Sequence, residues 1–126
     1  MSKEISRPAK PAVDLAKTAV DLNILDELAE DLGETFAEFM ELLLEQMPLR
    51  LQRLRAAIEQ GDAGLACEAA HSIKSSAGYV GARQLMQLGA EIERCARAGE
   101  LHGTRELAEQ ADAQYEQVRL LLTQRL

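Results

Sequence analysis

The sequence predicts an all-α protein, an antiparallel up-down four-helix bundle with a short extra N-terminal helix. Three observations lead there. Aromatic residues are 3% of the chain and tryptophan is absent, while Leu, Ala, Glu, Gln and Arg dominate, a vocabulary that favours helices over sandwiches and barrels. Apolar residues recur every three or four positions through several long stretches. Glycines break these stretches at short intervals, so the connectors are short and consecutive helices run antiparallel. With 126 residues, 47% of them hydrophobic, the chain can bury one core and is too short for two ordinary domains.

Residues 1–20 are expected to be a flexible N-terminal arm or linker, and 21–126 the bundle domain. The opening MSKEISRPAKPAV carries basic groups, Pro8 and Pro11 but no apolar core of a signal peptide. No later stretch approaches the roughly 18 apolar residues of a membrane span, so a cytoplasmic location is expected. A short leading helix, LNILDELAEDLG, stops at Gly33.

The second helix is expected over 34–60. Its apolar positions Phe36, Met40, Leu43, Met47, Leu51, Leu54 and Ile58 step by three or four, and Pro48 in the middle predicts a kink because it removes a backbone donor and crowds the preceding turn. Gly61 and Asp62 supply a stop and a new N-cap. The third helix runs to about Val80 with Leu65, Ala69, Ile73, Ser76 and Val80 as its inner stripe, and Gly81 closes it. The fourth places Leu85, Leu88, Ile92 and Cys95 on one face and ends at Gly99. The last starts near Thr104 and aligns Leu107, Ala111, Tyr115, Val118 and Leu122. One bundle core accounts for all the stripes, which predicts a monomer.

The formal charge of −7 argues against a nucleic-acid binder, which needs a surplus of Lys and Arg on one face; an acidic domain suits protein partners. Cys67 and Cys95 form neither a CxxC pair nor a dense framework and read as buried, reduced thiols.

The stretch AAHSIKSSAGYVGA, residues 69–82, holds one of only two histidines. At about 100° per residue, His71 lies about 200° from both Ala69 and Ile73 and therefore faces away from the core. Cys67, Glu68, Lys74, Ser75 and Gly78 share its outer face at offsets that bring side chains together. A mid-helix glycine costs roughly 1 kcal/mol relative to alanine, so Gly78 beside Ser75 suggests a surface kept low for another protein to approach. The tight turn near Gly81 brings residues 91–93 to the height of His71, so that Glu91 or Glu93 can accept a hydrogen bond from Nδ1–H and leave Nε2 as an outward nucleophile. Height alone does not choose between these two carboxylates.

AAHSIKSSAGYVGARQLMQLGAEIE resembles the histidine-containing phosphotransfer (HPt) domain family, marked by an exposed helical histidine, then x-x-Lys and small residues. The similarity extends more loosely over about residues 22–122. It implies a phosphoryl carrier, without kinase or phosphatase activity of its own, which takes a phosphoryl group from one receiver-domain aspartate and passes it to another in a multistep two-component phosphorelay. His71 matches the acceptor, Lys74 the lysine that offsets phosphoryl charge, and Glu93 the position beside the imidazole. Receiver (response-regulator) domains are the implied partners, with a hybrid sensor histidine kinase as a candidate among them. Ser75 departs from the pattern, which usually has glycine there; its hydroxyl is expected to donate to the phosphoryl oxygens.

Phosphoryl transfer normally needs a divalent metal near the moving group, and the His71 face offers no carboxylate cluster to hold one. No intrinsic cofactor is therefore expected, and Mg²⁺ should come with the receiver. Two competing readings are an unmodified helical scaffold, separable by acid-labile labelling, and a metal site that pairs Cys67 with His71 at i, i+4 and adds Cys95 or His102. The second is disfavoured because His102 falls in the opposite turn region.

Overall fold

The computed structural model describes residues 19–126. Helix α1 (Leu22–Leu32) leads through a 3₁₀ turn (Gly33–Thr35) into α2 (Phe36–Gln60), followed by α3 (Ala63–Tyr79), α4 (Arg83–Arg97) and α5 (Thr104–Thr123). The described residues are all helix and turn, with the four long helices packed as a bundle. The antiparallel run is visible in the pairs: going along α3 from His71 to Lys74 to Gly78, the facing residues on α4 go back from Glu93 to Gly89 to Met86. The ring closes where α5 meets α2, through Arg55 with Asp112 at 2.7 Å and Tyr115 with Leu44.

The helix boundaries follow local chemistry. Asp62 caps α3 by accepting from Leu65 N at 3.1 Å. Helix α2 starts at Phe36, two residues later than expected, because Gly33–Thr35 forms a tighter turn in which the Thr35 hydroxyl donates to Leu32 O. Pro48 lies inside α2 without ending it. Its missing N–H leaves the Leu44 carbonyl without the usual helical partner, and the Tyr115 hydroxyl on α5 points at that carbonyl, 3.4 Å away.

Met40, Leu43, Met47, Leu51 and Leu54 are buried on α2, and Ala111, Tyr115, Val118 and Leu122 on α5, as their spacing predicts. On α3 the stripe is different. Ala66, Ala70, Ile73, Ala77 and Val80 form the inner face; Ser76 and Ala69 are half-buried, and Leu65 is 51% exposed. The difference has a physical reason: α3 and α4 pack so closely that only small residues fit between them. A Cβ on Gly89 would lie 3.1 Å from Lys74 N and 3.2 Å from Ala70 O, so the two backbones are nearly in contact. On α4, Gly89, Glu93 and Ala96 join Leu85 and Ile92 on the buried side, while Leu88 and Cys95 sit at its edge.

Helix α1 lies across the α3–α4 turn. Asp21 N donates to Gly81 O at 2.8 Å, Asp21 pairs with Arg83, and Leu25 enters the core. Gly81 is required twice: its φ is 78°, and a Cβ there would come within 2.9 Å of Asp21 O. Residues 1–18 of the expected arm lie outside the described residues. Ala19 and Val20, assigned to the arm on sequence, are each 1% exposed and belong to the core, so the packed domain begins before Asp21. No described helix is long and apolar enough to cross a membrane.

Candidate functional site

Helix α3 turns Ala70 and Ile73 into the core, which leaves His71 on the outside with its side chain 60% exposed. The close approach of α4 that Gly89 allows brings Glu93, four residues on, up against it. His71 Nδ1 and Glu93 Oε2 are 2.9 Å apart. Lys74, one turn along from His71, places its Nζ 2.7 Å from the other oxygen, Oε1. Arg97, one turn along α4, adds Nη2 at 2.8 Å from Oε2.

Glu93 is thus a buried carboxylate, 4% exposed, serving three nitrogen groups. Lys74 does most to hold its pKa down, to about 2, and His71 adds to this, against the opposing effect of burial. The carboxylate is therefore ionised at neutral pH, and it accepts from the ring at Nδ1. Nε2 then has no partner among the described residues, on a side chain open to solvent.

The register of α4, not its height, separates the two candidate carboxylates. Glu91 turns outward and pairs with Arg94, whose hydrogen bond holds its pKa below the usual carboxylate range. Cys67 and Glu68 line a groove with His71, Ser72, Glu93 and Arg97, and Cys67 Sγ lies 4.0 Å from Glu93 O. Ser75 is exposed, and its hydroxyl makes no hydrogen bond among the described residues. Gly78 is half-buried rather than outward. A Cβ there would meet Met86 Sδ at 3.3 Å, so its smallness serves the packing of α4 onto α3.

Two residues of the site escaped the sequence pattern. Gly89 is a mid-helix glycine four residues before Glu93, a signal of close backbone approach. Arg97 follows Glu93 at i+4, a spacing that makes an ion pair on any helix. Of the metal reading, Cys67 and His71 share a groove, but neither proposed third ligand joins them. Cys95 faces Glu91 and Arg94, His102 is exposed in the α4–α5 connector, and no metal-binding group of three or more His, Cys, Asp or Glu occurs among the described residues.

The Hpt domain family model matches residues 38–121, which includes His71, Lys74, Glu93 and both helices that carry them. The chain belongs to the Hpt domain family. Its Hpt fold is also similar to the crystal structure of histidine-containing phosphotransfer protein B (HptB) from Pseudomonas aeruginosa PAO1. That similarity has 31% identity and a TM-score of 0.82 over 85% of this chain and 93% of that one. No curated protein matches the chain. In this Hpt domain the carboxylate beside the histidine is tied to a lysine and an arginine as well, so Lys74 is drawn towards Glu93 rather than standing free in solvent.

Proposed function

We propose that this Hpt domain accepts a phosphoryl group on His71 Nε2 from a receiver-domain aspartyl phosphate and delivers it to the aspartate of another receiver. The observation that carries the reading is the exposed imidazole held at Nδ1 by a buried, ionised carboxylate. Glu93 fixes the Nδ1–H tautomer, and the lone pair is left on Nε2. That lone pair attacks phosphorus, the bond from phosphorus to the aspartate oxygen breaks, and the carboxylate leaves as an anion. No proton has to move. The ring, still protonated at Nδ1, becomes a cation paired with Glu93, and reversal of the same steps returns the group to a second aspartate.

Lys74, one turn from His71, supplies a positive charge for the incoming phosphoryl oxygens. The face does not suit a divalent cation: both oxygens of its one buried carboxylate already face nitrogen groups. The Mg²⁺ that phosphoryl transfer uses therefore comes with the receiver. The domain acts as a carrier in the cytoplasm, monomeric, with no kinase or phosphatase activity of its own, and its donor can belong to a hybrid sensor histidine kinase. Membership of the Hpt family and the similarity to HptB support this reading.

The test is incubation with receiver domains labelled on their aspartate. Acid-labile, base-stable label should appear on the wild-type chain and be absent from His71→Gln. Label that persists in that variant, or a wild type that takes none from any of a broad panel of receivers, overturns the reading.

A further inference from the structure

Two groups share one oxygen of Glu93. His71 Nδ1 and Arg97 Nη2 both contact Oε2, while among the described residues Lys74 alone holds Oε1. Arg97 reaches the carboxylate from the solvent side with its own side chain 70% exposed, and it lines the same groove as His71.

We propose that Arg97 is a positioning residue for phosphoryl transfer, one that keeps Glu93 compensated when Lys74 turns from it to the phosphoryl group on His71. The proposal rests on His71 being the acceptor. Before transfer, the neutral imidazole, Glu93, Lys74 and Arg97 carry a surplus of one positive charge. Transfer adds a phosphoryl group of about −2 and makes the ring a cation, so the phosphorylated site sums to about zero. Without Arg97 the same site ends near −1, and Lys74 alone has to serve both the carboxylate and the phosphoryl oxygens. Arg97 therefore stabilises the phosphorylated form through Glu93, without touching the reacting atoms.

The full chain is tested as wild type, Arg97→Ala, Arg97→Lys and, as a control, Arg94→Ala. Arg94 removes the same charge from the same helix but pairs with Glu91. Each protein is phosphorylated with phosphoramidate, a small phosphodonor, and the lifetime of the phosphohistidine is followed. Each is also equilibrated with a phosphorylated receiver, and the share of label on His71 is measured. Ring ¹⁵N shifts report the Nδ1–H tautomer, and thermal melts report folding. Because Arg97 is largely exposed, its removal should lower both the lifetime and the share on His71 by about two- to fivefold. The loss should shrink in about 1 M salt, where screening acts within about 3 Å. Arg97→Lys should recover part of it, and Arg94→Ala should match wild type. Equal lifetimes and equilibria for Arg97→Ala and wild type overturn the proposal, as does the same loss in Arg94→Ala. A wild type that takes label from neither donor removes the acceptor role of His71 and the proposal with it.

Discussion

Replacing Glu93 by Gln is the sharpest probe of the buried carboxylate, because it alters charge and leaves shape nearly unchanged. Burial opposes ionisation, yet Lys74 and then His71 hold the pKa at about 2 against an ordinary value of 4.5. The native state thus binds this proton less tightly than the unfolded chain. Stability from the group is fully present above about pH 5 and is lost as pH falls through 4.5 towards 2. A gap of about two and a half pKa units corresponds to roughly 3 kcal/mol at 1.36 kcal/mol per unit. His71 is 60% exposed and Lys74 34%, so screening reduces this to about 2 kcal/mol. Urea unfolding of the wild-type chain and of Glu93→Gln at several pH values from 7 down to about 2 measures it directly. The two unfolding free energies should differ by about 2 kcal/mol at neutral pH, draw together as pH falls below 4.5, and nearly converge only near pH 2. Curves that stay parallel over the whole range would refute the ion-pair account of Glu93.

Three other substitutions follow from the packing and the site. Gly89→Ala puts a Cβ 3.1 Å from the Lys74 backbone, so α3 and α4 must separate; a loss of about 1–3 kcal/mol in urea unfolding and slower receiver-to-His71 transfer are expected. Tyr115→Phe leaves the Leu44 carbonyl with neither a helical nor a side-chain partner and should cost about 1 kcal/mol in thermal or urea unfolding, with transfer unaffected. Lys74→Ala should slow transfer about tenfold, equivalent to about 1.4 kcal/mol of barrier, while the far-ultraviolet circular dichroism stays helical; equal rates in a rapid-quench assay would show that the ammonium plays no part.

Much of the bundle was legible because its helices obey simple spacing. Met40 through Leu54 and Ala111 through Leu122 follow steps of three and four, and Gly61 with Asp62 marks a boundary that the structure keeps. On α3, Ile73 and Val80 are buried as predicted, but Leu65, Ala69 and Ser76 were each placed one residue early. Leu65 looks like core, but the buried positions around Ile73 are the small Ala66, Ala70 and Ala77. That choice depends on Gly89 in another helix, which no local pattern on α3 reveals. The same limit applies to the site. His71 and Lys74 stand out in their own stretch, and Glu93 could be narrowed to a short window by helix height. The approach of Lys74 on α3 to Glu93 on α4 is a matter of helix register, and that is settled only by packing. Ala19 and Val20 were placed in the arm with the proline-containing stretch before them; both are buried, next to Asp21, whose N–H donates to Gly81 O.

Pro48 leaves a gap in the hydrogen-bond ladder of the longest helix, and the group that points into it belongs to the last helix of the bundle. Neither helix is complete by itself at that level, so partial opening that detaches α5 also exposes a carbonyl inside α2. Such a cross-brace makes the two ends of the fold melt together. Amide protons around residues 44–52 should then exchange with the same opening free energy as those around 111–118, as one cooperative unit rather than as independent rods.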